Sequence, residues 1–343
     1  MQKHFADRLM DAVKKKGNPI CVGLDPRLDK IPEFICNEAF KKFPKDPMKA
    51  AATAILEFNK GIIDAVADIV PVVKPQIAFY ECFGAPGVQA YIETLDYAHE
   101  KDLITIADAK RNDIGSTAEA YAEAFLGETS VSGGGNVAGK SGVSGGADVA
   151  GEVSGGATMA CVRAFDADSI TVNGYLGSDG IKPFMKIAKG EGKGLFVLVK
   201  TSNPSSGELQ DLFVLDKNCK GENAKTLYEI MGYYVDSWGA CDLGESGYSF
   251  VGAVVGATYP EQAKKLREIM PNTIFLVPGY GAQGGGAADV KPCFNKDGLG
   301  AVVNSSRGII FAYEKNEKFG PEGYAEAARE ATIMMKEDLK AVV

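Results

Sequence analysis

Short apolar runs alternate with longer amphipathic stretches along almost the whole chain. The apolar runs are PICVGL (19–24), DIVPVVK (68–74), LITIAD (103–108), SITV (169–172), GLFVLVK (194–200), FVGAVVG (250–256), TIFLVP (273–278) and GAVVNS (300–305). Their length suits strands, and Val and Ile dominate them. Each is followed by a stretch whose apolar residues are spaced for a helix, at about 48–67, 84–100, 116–126, 178–189, 223–237, 258–269, 283–290 and 320–339. Strand and helix in strict alternation predict a parallel sheet with right-handed crossovers. Eight such units point first to a closed (β/α)8 TIM barrel, a single domain over 1–343, with a doubly wound open sheet as the alternative. The opening MQKHFADRLMDAVKKKG reads as an amphipathic helix and has no signal-peptide core.

One stretch breaks the rhythm. Residues 128–161 repeat VSGG at 131, 143 and 153, with NVAG and DVAG between. The Gly and Ser content and the missing apolar period predict a flexible or loosely turned insertion between the third helix and the fourth strand. In a barrel that connection lies away from the catalytic mouth, so the insertion should be dispensable for chemistry. A second long connection, TSNPSSGELQDLFVLDKNCKGEN (201–223), leaves the carboxyl end of the fifth strand, where loops bind or cover ligands.

Composition narrows the chemistry. A net charge of −8 argues against general affinity for nucleic acid or anionic membrane, and no apolar run approaches the length of a membrane-spanning helix. The seven cysteines are scattered without a CxxC pair, which suits free thiols in a reducing cytoplasm. His4 and His99 are the only histidines, so neither a His triad nor a His-bound metal can be assembled. Lysines and carboxylates remain as the acids and bases.

The polar residues that end the strands supply candidates. ITIADAKRNDIGST (104–117) carries Asp108 and Lys110 two apart, which on an alternating strand point the same way, into the barrel mouth. Asp113 follows in the turn, with Ser116 or Thr117 available to cap the next helix. Taken alone, DxK reads first as an ordinary strand-end salt bridge. GLDPR adds Asp25 and VKPQ adds Lys74, and four charges of alternating sign on three successive strand ends favour a catalytic cluster. Near the end of the chain, VPGYGAQGGG (277–286) and NSSRGI (304–309) place Gln283 and Arg307 beside Gly-rich turns, a pattern suited to phosphate. GYGAQG also matches GxGxxG, but it stands in the penultimate unit and the next strand ends in Asn304, so a dinucleotide site is rejected.

Taken in order, GLDPR, VKPQIAFYE, DAKRNDIGST, FVLVKTSNP, VGAVVGAT, PGYGAQGG and NSSRGI resemble the orotidine 5′-phosphate decarboxylase family, and its longer bacterial branch in particular. The resemblance covers nearly the whole chain except 128–161. It implies conversion of orotidine 5′-monophosphate to UMP in pyrimidine biosynthesis, without metal or organic cofactor. By the resemblance, Asp25 and Lys74 contact the ribose hydroxyls and extend the charged network. Asp108 faces the substrate carboxylate, and Lys110 protonates C6. Asp113 and Thr117 reach the neighbouring site of a homodimer, Ser202 reads the pyrimidine amide edge, and Gln283 and Arg307 hold the phosphate. Gly174 stands where the family pattern has Pro. Two alternatives compete: a Mg-dependent sugar-phosphate decarboxylase or aldolase of the same superfamily, for which Glu81 is the tempting extra ligand, and a non-catalytic phosphate-binding barrel.

Overall fold

In the computed structural model, the structure describes residues 3–134, 157–215, 224–281, 284–316 and 318–343. Eight parallel strands close a barrel in sequence order: β1 Ile20–Leu24, β2 Val72–Pro75, β3 Ile104–Arg111, β4 Ser169–Val172, β5 Gly194–Lys200, β6 Val251–Val255, β7 Phe275–Val277 and β8 Ala301–Ser305. The ring closes where Ile20, Cys21 and Val22 of β1 pair with Val303, Asn304 and Ser305 of β8. The open sheet is thereby excluded. Every residue of β1, β2, β4, β6, β7 and β8 is buried, as expected for strands covered on both faces.

Several boundaries differ from the sequence reading, each for a local reason. β2 begins at Val72 and not at 68: Ile69 and Val70 donate to the Val66 carbonyl in the turn that ends the preceding helix, and Pro71 has no N–H for the ladder. β3 runs on to Arg111 across a register shift after Ala107. The helix expected at 283–290 is only Ala287–Val290, then a 3-10 turn at Lys291–Cys293, because Gly284 sits at φ +96° and its N–H closes a turn onto the Gly281 carbonyl. The helix Glu33–Lys42 was missed; a second, Pro47–Val66, starts on the side-chain cap of Asp46 to the Lys49 N–H and shares the same connection.

The insertion departs from the sequence expectation at its described ends. Its two ends, Thr129–Gly134 and Ala157–Val162, form an antiparallel ladder from Thr129↔Val162 to Gly134↔Ala157. Residues 135–156 lie outside the described residues. Arg163 ties the base of this hairpin to Glu128 and to Glu191, which caps the carboxyl end of the helix Ser178–Gly190.

The amino end of the barrel is plugged by the helix Phe5–Lys16. Phe5 lies so close under Gly194 that a Cβ there would sit 2.2 Å from the ring. Arg8 and His99 both reach the buried Asp168 carboxylate, at 2.5 and 3.1 Å. Burial alone would raise the Asp168 pKa, but hydrogen bonding from His99 and the charge of Arg8 hold it well below the carboxylate range. Burial alone would lower that of His99, yet Asp168 raises it above the ordinary value. His99 is thus a structural group at the end opposite the mouth.

Candidate active site

The carboxyl ends of the strands enclose a cavity of about 510 Å³ whose lining includes Asp25, Lys74, Asp108, Lys110, Ser202 and Arg307. Six of the residues expected from the sequence therefore meet in one place.

Asp108 is the hub. Its Oδ2 accepts from Lys74 Nζ at 2.6 Å and its Oδ1 from Lys110 Nζ at 2.5 Å. Asp25 adds a second carboxylate 3.9 Å from Lys74, and that same oxygen is buried without a hydrogen-bond partner among the described residues. Burial opposes charge on Asp108 and on Lys74, but the pairing wins. Lys74 and Lys110 hold the Asp108 carboxyl well below its usual range, and Asp108 with Asp25 hold Lys74 above its own. The Asp108 carboxylate and the Lys74 ammonium thus stay charged at neutral pH. Cys21 lies just behind the cluster, where burial pushes its thiol up to about 12 and makes it inert.

Lys110 gets its position from a kink, not from plain alternation. Its φ is +48°, in the left-handed region that non-glycine residues rarely occupy. Thr171 on β4 holds that kink: its hydroxyl donates to Asp108 Oδ1 at 2.9 Å and accepts from the Ala109 and Lys110 N–H groups at 3.1 and 3.0 Å. Sequence reading missed Thr171, whose only trace was a hydroxyl near the end of SITV. It also missed Gln210, which lines the cavity from the loop after β5, and gave no site role to Asn304, which lines it from β8.

The remaining expected residues behave differently. Asp113 and Thr117 do not line the cavity of the single chain. Neither Ser116 nor Thr117 caps the helix Gly115–Leu126; Asp113 instead accepts from the Ile114 N–H at 2.8 Å. Gln283 lies outside the described residues. Glu81, the extra ligand a metal-dependent reading would call on, is drawn to Arg111 at 2.5 Å and is not among the cavity residues. Among the described residues no three His, Cys, Asp or Glu side chains converge as a metal site, and no helix is long and apolar enough to cross a membrane.

The Orotidine 5′-phosphate decarboxylase / HUMPS family model matches residues 18–156 and 147–319. The orotidine 5′-phosphate decarboxylase of Rhodopirellula baltica is 42% identical over 340 residues, covering 98% of this chain and 99% of its own. That of Caldicellulosiruptor bescii is 39% identical over 340 residues, with 99% of each covered. The structure of Leishmania donovani OMP decarboxylase is 29% identical, with a TM-score of 0.64, 97% of this chain covered and 99% of that one. Matched in sequence along nearly its full length, with the same barrel beneath, the chain belongs to the orotidine 5′-phosphate decarboxylase family, whose reaction is that of a carboxy-lyase.

Proposed function

We propose that the cavity decarboxylates orotidine 5′-monophosphate to UMP, with Lys110 as the proton donor. The observation that carries this reading is one buried carboxylate, Asp108, fixed between two ammonium groups at the mouth of the barrel. When CO2 leaves, the C6–carboxylate bond breaks and its electron pair stays on C6. A fixed ammonium beside that carbon stabilises the developing charge and then donates a proton to it. Lys110 is left as the amine and regains a proton from water. Asp108 sets a negative charge beside the substrate carboxylate, while Lys74 and Asp25 face the ribose hydroxyls. Ser202 reads the amide edge of the pyrimidine. Arg307 and Gln283 grip the phosphate, and binding energy gathered there, remote from C6, positions the ring.

The enzyme acts in the cytoplasm as a homodimer. Asp113 lies near exposed apolar side chains, Ile114, Tyr175 and Leu176, on the connections leaving the carboxyl ends of β3 and β4. A second copy covering these side chains would receive Asp113 and Thr117 in its own cavity. The direct test is incubation of the purified protein with orotidine 5′-monophosphate plus EDTA, followed by the ultraviolet change. Rapid conversion to UMP is expected; a folded protein that acts only on sugar phosphates with Mg2+ would overturn the reading.

A further inference from the structure

Lys200 ends β5, is completely buried, and has no part in the chemistry above. Its ammonium lies beside the cavity and does not line it. A bulge explains this placement. Leu198 pairs with Val254 and lines the cavity, but the register slips so that Lys200 pairs with Val255. The slip breaks the alternation that would otherwise bring the lysine in with Leu198. Outside the cavity, its Nζ donates to Asp211 Oδ1 at 2.8 Å and to Ser206 Oγ at 3.2 Å, and it lies 4.3 Å from the centre of the Tyr259 ring. All three partners belong to the loop after β5 or to the element after β6, so one buried charge gathers them.

That loop carries two cavity residues, Ser202 and Gln210. Gln210 spans its two limbs: its Oε1 accepts from the Thr201 N–H at 3.0 Å and its Nε2 donates to Thr201 Oγ1 at 2.8 Å. Ser202 is pressed against the residue that follows β6, where a Cβ on Gly256 would lie 2.8 Å from both its N and its Cα. The Gly256 N–H donates to the Lys200 carbonyl at 2.7 Å, and Thr258 donates to the Ser202 carbonyl at 3.2 Å. The loop is thus built as a rigid edge around two amide-capable side chains.

We propose that Lys200 is a positioning residue for substrate specificity: through Asp211 and Ser206 it locks the 201–211 loop so that Ser202 and Gln210 present a fixed hydrogen-bonding edge to the pyrimidine. The proposal rests on the pyrimidine-nucleotide reading of the site. Removing the charge frees the loop and loses recognition of the base, while the phosphate grip on β7 and β8 stays intact.

Calorimetric titration with UMP and with ribose 5-phosphate, which lacks the base, separates the two. Lys200→Met is expected to weaken UMP binding at least about tenfold, as expected when a buried charged hydrogen bond is lost, and to leave ribose 5-phosphate within about twofold of the parent. Lys200→Arg, which keeps the charge, restores part of the loss. In turnover, KM for orotidine 5′-monophosphate rises more than kcat falls. If Lys200→Met does not fold, Asp211→Asn, altered at a half-exposed position, carries the same comparison. Equal weakening of both ligands, or of neither, overturns the proposal. A parent chain that binds ribose 5-phosphate but not UMP would instead overturn the pyrimidine reading itself.

Discussion

Lys74 and Lys200 stand near the carboxyl ends of the second and fifth strands in nearly the same local sequence, VVK and VLVK, and both are buried. Their surroundings differ completely. β2 meets β1 in an unbroken register through Lys74 and Pro75, so Lys74 faces the cavity and lies between Asp25 and Asp108. β5 meets β6 through a bulge, so Lys200 turns aside and spends its charge on a loop. Burying an ammonium requires a carboxylate partner in either place, and each lysine has one. A lysine that ends an apolar run therefore announces a buried ion pair, but the strand register decides whether that pair faces substrate.

The largest effect expected in the Lys74 corner comes from Lys110→Ala. Lys110 is the exposed member of the cluster, with 46% of its side chain open to solvent. Turnover should fall by more than about a thousandfold, within the reach of a lost proton donor and its electrostatic support, with little change in the melting temperature. Substantial remaining activity would remove Lys110 from the proton-transfer step. Lys74→Met should differ by costing the fold as well. It leaves Asp25 without its neighbour and Asp108 with one charged partner, and about 3 kcal/mol in urea unfolding is expected for breaking a buried pair.

Complementation asks whether the corner is complete within one chain. Lys110→Ala and Asp113→Ala proteins, each inactive alone, should recover up to about a quarter of parent activity after subunit exchange, since half the dimers are mixed and each has one intact site. Demonstrated exchange without recovery would sink the shared site.

The smallest effects are in the pH dependence of stability. Asp108 has its pKa depressed by folding, so its stabilisation is fully present above the ordinary carboxylate range and is lost as pH falls through and below it. His99 has its pKa raised, so its contribution is present below about pH 6.5 and is lost as pH rises through the folded value. Between pH 5.5 and 8.5 the parent should lose a few degrees more in melting temperature than His99→Gln. Parallel curves would separate His99 from the amino-end network.

The barrel was readable because parallel strands buried on both faces leave continuous Val- and Ile-rich runs, and eight of them came in step with helices. The charged quartet was readable because such strands give polar side chains few places other than their ends. Thr171 was not, since a hydroxyl inside SITV looks like any β-branched strand residue until β3 lies beside it. The left-handed kink at Lys110 and the bulge beside Lys200 also left no mark, because each arises from the match between two strands far apart in sequence. Nor did VSGG reveal strands: without apolar alternation, the ladder at the base of the insertion is held by backbone pairing.

That ladder has a consequence for how the chain can change. The insertion leaves and re-enters the barrel at Thr129 and Val162, neighbours across one rung, so the wall sees a fixed pair of anchor points whatever is strung between them. Closing a longer flexible segment adds only about 0.6 kcal/mol for each doubling of its length. The hairpin base works as a socket on the floor of the barrel, into which descent or an engineer can thread foreign sequence while the mouth, a full barrel length away, keeps its geometry.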